Sequence, residues 1–461
     1  MLMLTTVAFG LAWWLGWYLI ARGPTKPLLL RVGFGLLSYA LALAIDLLRN
    51  QSFDPALTAA LSQLSSFLVF LPAIGWTGAA ILLLPEGWPP RSRIDAIWRN
   101  LLAPLTIVML VAVALLDGGS VAWLFWALCG FVLLPLLILL VLAVIQRRRL
   151  RPAPVAGLLI AATLFFGLSV ALILLPLQQP RDLLMLGMGF DMALLGVAVA
   201  IFDAFDEGEA LRYDLLRSLI GAIGAASLFG GQVTLVLLIA GEVTLPLIVL
   251  LLGVVAAAIT IQIFASPLQS LLDRLAFAHA PQLRQARADL QAESAALPRV
   301  HVGIEFATLD AAEFVRYTRR ALSHYGDLAR LASSPLTRLP MIEQRLALRG
   351  APDNPIERAT ELKALLAERI VRLKPRNGEF GTSDEWRHYN ALYFPYVVGI
   401  KPYSRRNDGY DSEPIAQRAL EWLAVQVPER TLYNWQNAAA KLIAADLQTE
   451  CQDLMREPVT R

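Results

Sequence analysis

The run AWLFWALCGFVLLPLLILLVLAVI, residues 122–145, holds 24 residues without one Asp, Glu, Lys, Arg or His. A helix rises 1.5 Å per residue, and a bilayer core of about 30 Å is crossed by roughly 20 apolar residues. Lipid offers no hydrogen-bond partner to the main chain, so such a run must be helical. Nine segments reach this length: 2–21, 28–48, 64–84, 99–116, 121–146, 154–176, 182–204, 215–239 and 243–265. The first has no basic leader region and no small-residue cleavage site, so it reads as a retained span.

Charge divides the chain in two. Residues 1–265 carry 27 of the Lys, Arg, Asp and Glu residues, and residues 266–461 carry 50. The expected fold class is therefore all-α. A nine-span helix bundle occupies 1–265, a juxtamembrane linker helix 266–300, and a mainly helical domain 301–461, whose last part (414–448) has the pattern of a helix-turn-helix.

Alternate loops differ in charge. One side carries Arg22, Lys26, Arg31, Arg91, Arg93, Arg99, Arg147, Arg148, Arg149, Arg151, Arg212 and Arg217, whereas the other has Arg49 and Arg181. By the positive-inside rule this puts the N-terminus outside and the C-terminal domain in the cytoplasm of a cell whose inner (plasma) membrane holds the chain. The outer loops DGGS, QQPRD and GEVT are short, so any cue is small, lipidic or sensed within the membrane. Membrane lipids are the first expected partners.

Within the spans Asp191 stands out in LLMLGMGFDMALLGVAVAIF. An intramembrane carboxylate is costly and faces a cavity or a partner. It is either a proton, cation or signal contact, or a protonated Asp bonded to a neighbouring helix. The glycines of LGMG and GAIGAAS read as points of close helix approach. Cys129 and Cys451 form no metal or disulfide pattern. P-loop, HExxH and paired-carboxylate patterns are lacking too, so neither a metal nor a cofactor is expected, nor an enzyme.

After the last span comes FASPLQSLLDRLAFAHAPQLRQARADLQAES (264–294). Leu268, Leu271, Leu272 and Leu275 follow Pro267 at helical spacing. Leu283, Ala286 and Leu290 then have a weak heptad spacing, compatible with a homodimer stalk or with a helix lying along the interface. SPLQSLLDRLAF, preceded by FDAFDEGEALRYDLLRSL (202–219), resembles the exit segment of bacterial multi-span sensor proteins, the membrane modules of seven-span histidine kinases. That resemblance implies a signal relay through Pro267, Leu268, Asp273 and Arg274. A kinase output is not expected: His324 of ALSHYGDLARLASSPLT lacks the acid that follows a phosphoacceptor His, and no ATP lid follows.

In the C-terminal part, Asp310 with Glu313 and Thr382 with Glu385 have capping-box spacing. Helices are expected at 311–331, 338–348, 356–374, 383–398, 414–425 and 429–448, with YVVGIKPYS (396–404) extended. In the final pair, PIAQRALEWLAV is followed by a turn at Gln426–Val427–Pro428 and a second helix from Glu429. Leu432, Trp435, Ala439 and Leu442 are its expected buried stripe. Arg430, Asn434, Asn437 and Lys441 fall on the opposite side. Asn pairs with adenine, and Arg with guanine or phosphate. VPERTLYNWQNAAAKLIAADL resembles the end of bacterial helix-turn-helix regulators. That implies DNA contacts by Arg430, Thr431, Asn434, Asn437 and Lys441, with backbone contacts from Lys401, Arg405 and Arg406 of KPYSRR. Pro428 and Trp422 depart from the usual Ser/Thr cap and small residue.

These features give a leading expectation of a membrane-tethered regulator that binds DNA. A second is a membrane scaffold or receptor whose helical domain binds a cytoplasmic protein. A third is an ion- or proton-coupled transporter.

Overall fold

The computed structural model describes all residues except 1, 52–53, 85–89, 116–121, 146–152, 175–180, 208–210, 241–243, 277–305, 307–308, 376–377, 379, 404–413 and 457–461. The described residues are mainly helical, with no strand among them. The chain forms two compact units, one of Met1–Asp203 with Leu215–Leu272 and one of Ala204–Asp214 with Asp273–Arg461.

The first unit contains α1 (Leu2–Arg22), α2 (Pro27–Asn50), α3 (Pro55–Leu83), α4 (Pro90–Ile97), α5 (Ala103–Leu115), α6 (Ala122–Ile145), α7 (Ala153–Leu174), α8 (Arg181–Glu207), α9 (Leu211–Ala240) and α10 (Leu245–Ile263). A π-turn, Trp98–Leu102, joins α4 to α5. Among the described residues, eight helices are long and apolar enough to cross a membrane. The sequence reading counts nine. The difference is α7, where the apolar stretch among fully described residues is the shorter Thr163–Ile173. Large apolar side chains such as Phe190, Ile220 and Ile239 are exposed around the bundle, as expected of a multi-pass membrane protein that turns apolar surface to lipid.

Inside the bundle, α1 and α2 meet where Gly16 and Gly33 face each other; a Cβ on Gly33 would lie 2.8 Å from the Gly16 carbonyl oxygen. Of the glycines singled out in the sequence, Gly189 packs against the Tyr39 hydroxyl and Gly221 against Gln262, while Gly187 and Gly224 approach nothing. Polar bonds cross-link the helices. The Trp13 indole donates to Thr260 Oγ1 (3.0 Å), that of Trp14 to Ser218 Oγ (3.0 Å), and the Tyr39 hydroxyl to the Met185 carbonyl (2.7 Å).

Among the described residues, at least four of the cations counted as loop charges turn out to be paired, one of them Arg49 with Asp46 (2.8 Å) one turn earlier in its own helix. Arg22 Nε lies 3.0 Å and Lys26 Nζ 2.5 Å from the two Asp203 oxygens, and Arg31 Nη1 lies 2.6 Å from Asp95 Oδ1. Arg22 closes α1 and Arg31 sits within α2.

The helix α11 (Ala265–Ala276) follows α10 after a break at Phe264, with the Leu268 N–H donating to the Phe264 carbonyl. The second unit then contains α12 (Ala311–Ser323), α13 (Leu328–Ala332), α14 (Pro340–Arg349), α15 (Pro355–Arg372), α16 (Arg387–Leu392), α17 (Pro414–Gln426) and α18 (Glu429–Arg456). The expected 311–331 helix is two helices. His324-Tyr-Gly-Asp breaks it, and the Asp327 side chain caps α13 by accepting from the Arg330 N–H; a carboxylate at this position satisfies an N–H that the first turn leaves open. Of the expected extended stretch 396–404, the first three residues belong instead to a π-helical turn, Tyr393–Val398, which ends the expected 383–398 helix and is closed by Gly399 at φ 87°, and residue 404 lies outside the described residues. Neither capping box forms: the Asp310 side chain makes no cap bond, and Ser383, not Thr382, precedes the next helix.

Two clusters make the core of this unit. The larger gathers Phe314, Leu336, Ile342, Leu362, Leu366, Ile370, Ile443 and Leu447. The smaller gathers Ala391, Phe394, Ile400, Ala419, Leu423, Val427 and Leu432. α18 contributes to both. Two buried arginines tie helices together: Arg358 binds Asp353 and donates to the Thr337 carbonyl, and Arg369 reaches Asp446 (2.7 Å) and Glu450.

Candidate functional site

The helix pair α17–α18 is the most developed candidate. α17 ends at Gln426 and α18 begins at Glu429, so the connection is Val427–Pro428. The Pro428 carbonyl accepts from the N–H groups of Thr431 (2.8 Å) and Leu432 (3.0 Å). Pro428 is thus the residue that caps α18, not part of its first turn. It brings no side-chain acceptor, so the positive end of the helix keeps open N–H groups, the arrangement that attracts anions.

Trp422, unexpectedly bulky for the first helix of such a pair, has a specific partner. Its indole stacks on Trp435 with centroids 6.1 Å apart and planes 17° apart, and Phe380 meets it edge-on. Two large rings therefore fill the space that a small residue leaves elsewhere. The turn is pinned from outside by Tyr403, whose hydroxyl donates to the Val427 carbonyl (2.8 Å). Burial, then the charge of Glu429, pushes the Tyr403 pKa up, which keeps the phenol protonated as a donor. Tyr403 belongs to KPYSRR, so the bond holds the start of that basic segment at the turn. Sequence reasoning missed this link, because the bonded residues are 24 positions apart.

On α18 the expected polar face is realised. Arg430, Asn434 and Lys441 are exposed and Thr431 and Asn437 half-buried. Lys401 is exposed, while Arg405 and Arg406 lie outside the described residues. The opposite face carries Leu432, Ala439, Ala440, Ile443, Ala444, Leu447 and Cys451 into the two cores. Leu442 corrects the expected stripe: it is 49% exposed. Another cation borders the face. Arg319 of α12 lies over the Tyr433 ring, 4.9 Å from its centroid, and donates to its hydroxyl.

Asp191 is buried in α8, and Ser169 Oγ of α7 donates to its Oδ2 at 2.7 Å. One hydroxyl from a neighbouring helix is the arrangement expected of a structural carboxyl group. Among the described residues, His, Cys, Asp and Glu form no group of three able to hold a metal ion. At the junction, Pro267 and Leu268 are exposed, Asp273 is buried, and Arg274 lies in α11, its side chain outside the description. The heptad positions Leu283, Ala286 and Leu290 also lie outside it.

No protein-family model matches the chain, and neither a curated protein nor a solved structure matches it.

Proposed function

We propose that the chain is a membrane-tethered regulator. Its apolar helices take up a cue in the inner membrane, α11 relays it, and the helical unit, on the cytoplasmic side, binds DNA through α17–α18. The asymmetry of loop arginines supports an outside N-terminus. The relay reading rests on α11, whose Leu268 and Leu272 are apolar yet exposed four residues apart.

One observation carries the DNA reading. Arg430, Asn434, Asn437 and Lys441 lie along one open face of α18, while the other face is fixed by two cores. Amide and guanidinium groups on a rigid helix suit base edges, and Lys401 at the tethered turn suits a phosphate. Full-length protein in lipid nanodiscs should retain fragments of genomic DNA at low salt and release them at high salt. Arg430→Ala with Asn434→Ala should abolish retention without unfolding the unit. Salt-independent retention, or none, removes the reading.

A second reading has its own support. Val425 at the end of α17 is 83% exposed, and Leu442 lies bare beside Lys441. Apolar groups on the open face favour a cytoplasmic protein partner. Leu442→Glu separates the two, since it should spoil protein docking and leave the Arg430 and Asn434 contacts intact.

A further inference from the structure

Between α3, the α4–α5 helix and α6 runs a groove of about 510 Å³. Its volume falls within the range of about 300–1,000 Å³ typical of ligand sites. The wall includes Ile81, Ile94, Trp98, Leu102, Gly130 and Leu142; the side chains with a polar atom in it are Trp98 and Thr77, and the Thr77 hydroxyl is already bonded to the Ala73 carbonyl (2.7 Å). Along α6 the lining extends from Ala127 to Leu142. At 1.5 Å per residue this is roughly 22 Å, more than the ~15 Å depth of one leaflet of a ~30 Å core.

The groove is held open by fixed groups. Trp98 opens the π-turn, an irregularity that recurs at functional sites because it re-aims side chains. The Arg31 guanidinium lies over the indole, 4.3 Å from its centroid, while donating to Asp95 and to the Gly78 carbonyl (2.6 Å each). The edge of the ring rests on Gly78, where a Cβ would collide with it. Trp98 therefore cannot swing in to fill the space.

One end of the groove is cationic. Arg91, Ile94 and Trp98 are spaced three and four residues apart and share a helix face. Arg91 Nη2 donates to the Leu82 carbonyl (2.7 Å), which places the guanidinium beside the lining residue Ile81. Arg93 and Arg99 are exposed nearby in sequence, and the neighbouring acid Asp95 is engaged by Arg31.

We infer that this groove is a binding site for an anionic phospholipid. One acyl chain lies along α6 against Trp98, and the phosphate meets Arg91 at the Ile81 end of the groove. The apolar wall selects a chain, the arginine end selects a negative head, and the opening lies on a bundle whose surroundings are lipid. This site stands apart from the DNA reading and survives its failure.

Gly130 gives a clean test, because a Cβ there meets nothing within 4 Å and a side chain can enter the groove without disturbing the fold. The purified full-length protein would be examined by native mass spectrometry in detergent with phosphatidylglycerol, phosphatidylcholine or palmitate added. Phosphatidylglycerol should be retained about tenfold better than phosphatidylcholine or palmitate. Gly130→Trp and the smaller Gly130→Leu should remove that excess while leaving the thermal midpoint unchanged, and Arg91→Gln should make the two phospholipids equal. Equal retention of both phospholipids by the unaltered protein overturns the site. So does phosphatidylglycerol binding that survives both Gly130 variants, or palmitate binding as strong as that of phosphatidylglycerol.

Discussion

Single residues decide how charge is accommodated in the apolar unit. Arg22 is 2% exposed in its side chain and Asp203 7%. Removing one partner of a buried pair leaves an uncompensated charge, at a cost of about 3–5 kcal/mol. Asp203→Ala should accordingly lower the thermal midpoint of the detergent-solubilised protein sharply. Asp54→Ala at an exposed helix cap should cost only about 0.5–2 kcal/mol. If both variants melt alike, Asp203 is not the anchor it looks to be. In the second unit the sensitive residue is His388. Burial first, and then the neighbouring Arg387, hold its pKa below 6.5, and its Nε2 accepts from Arg387 Nε (3.3 Å). The folded form therefore binds the proton less readily than the unfolded chain. Stability should fall as pH drops below about 6.5, and go on falling until folded His388 protonates as well. His388→Gln should flatten that part of the pH profile of thermal unfolding, and an unchanged slope would show that another group controls it. The Arg22–Asp203 pairing was not legible in the sequence. Arg22 and Asp203 are 181 residues apart, and a count of loop cations cannot reveal which are neutralised by a distant acid.

Elements were more legible where one force dominates. Long apolar runs specify spans by length alone, and the second helix of the terminal pair was placed correctly at Glu429 because Pro-Glu follows a turn. Its buried face was read less well. Leu432 and Trp435 belong to the smaller core, whereas Ala440, Ile443, Ala444, Leu447 and Cys451 belong to the larger. At 100° per residue, the buried face turns by roughly a quarter of the circumference along α18. Leu442 is on the side from which it turns away. A single amphipathic stripe, the simplest reading of the sequence, misses a helix that serves two cores in succession. Ile443→Ala, at a residue 2% exposed, should cost about 2–5 kcal/mol by leaving a cavity. Leu442→Gln should stay within about 0.5 kcal/mol, as surface changes do. Chemical denaturation of the two variants compares them directly, and equal losses would restore the uniform stripe. The π-turns at Trp98–Leu102 and Tyr393–Val398 escaped notice for another reason. An i→i+5 bond leaves no mark in residue spacing, and over Tyr396–Val398, where the expected helix and the expected extended stretch overlapped, aromatic and β-branched residues favoured the extended reading.

For the molecule as a whole, the charge step near residue 265 marks the passage from a unit that exposes apolar side chains to one that buries them. Two attributes of the second unit follow from its composition. With 26 basic and 24 acidic residues after residue 265, and one basic and four acidic residues in 204–214, it has little general attraction for nucleic acid. Several of those cations, among them Arg358 and Arg369, are also spent inside the fold. DNA binding, if it occurs through α17–α18, must then rest on a few local groups. Arg430 and Lys441 on the polar face of α18 and Lys401 at the tethered turn are exposed, while Arg418 of α17, also exposed, lies over the Phe380 ring. Three phosphate contacts give a slope of log K against log salt of about −2.7, from roughly −0.9 per contact on duplex DNA. Arg430→Ala should lower that slope by about 1 if Arg430 meets a phosphate. If it meets guanine, the slope should persist and discrimination between sequences should weaken by about 1–3 kcal/mol. Asn434→Ala and Asn437→Ala, being uncharged, should leave the slope alone and reduce only sequence preference. Titrating nanodisc-held protein with DNA at several salt concentrations measures all of these at once. A slope far steeper than −2.7 would extend the contact surface beyond Arg430, Lys441 and Lys401, because three cations are too few to produce it.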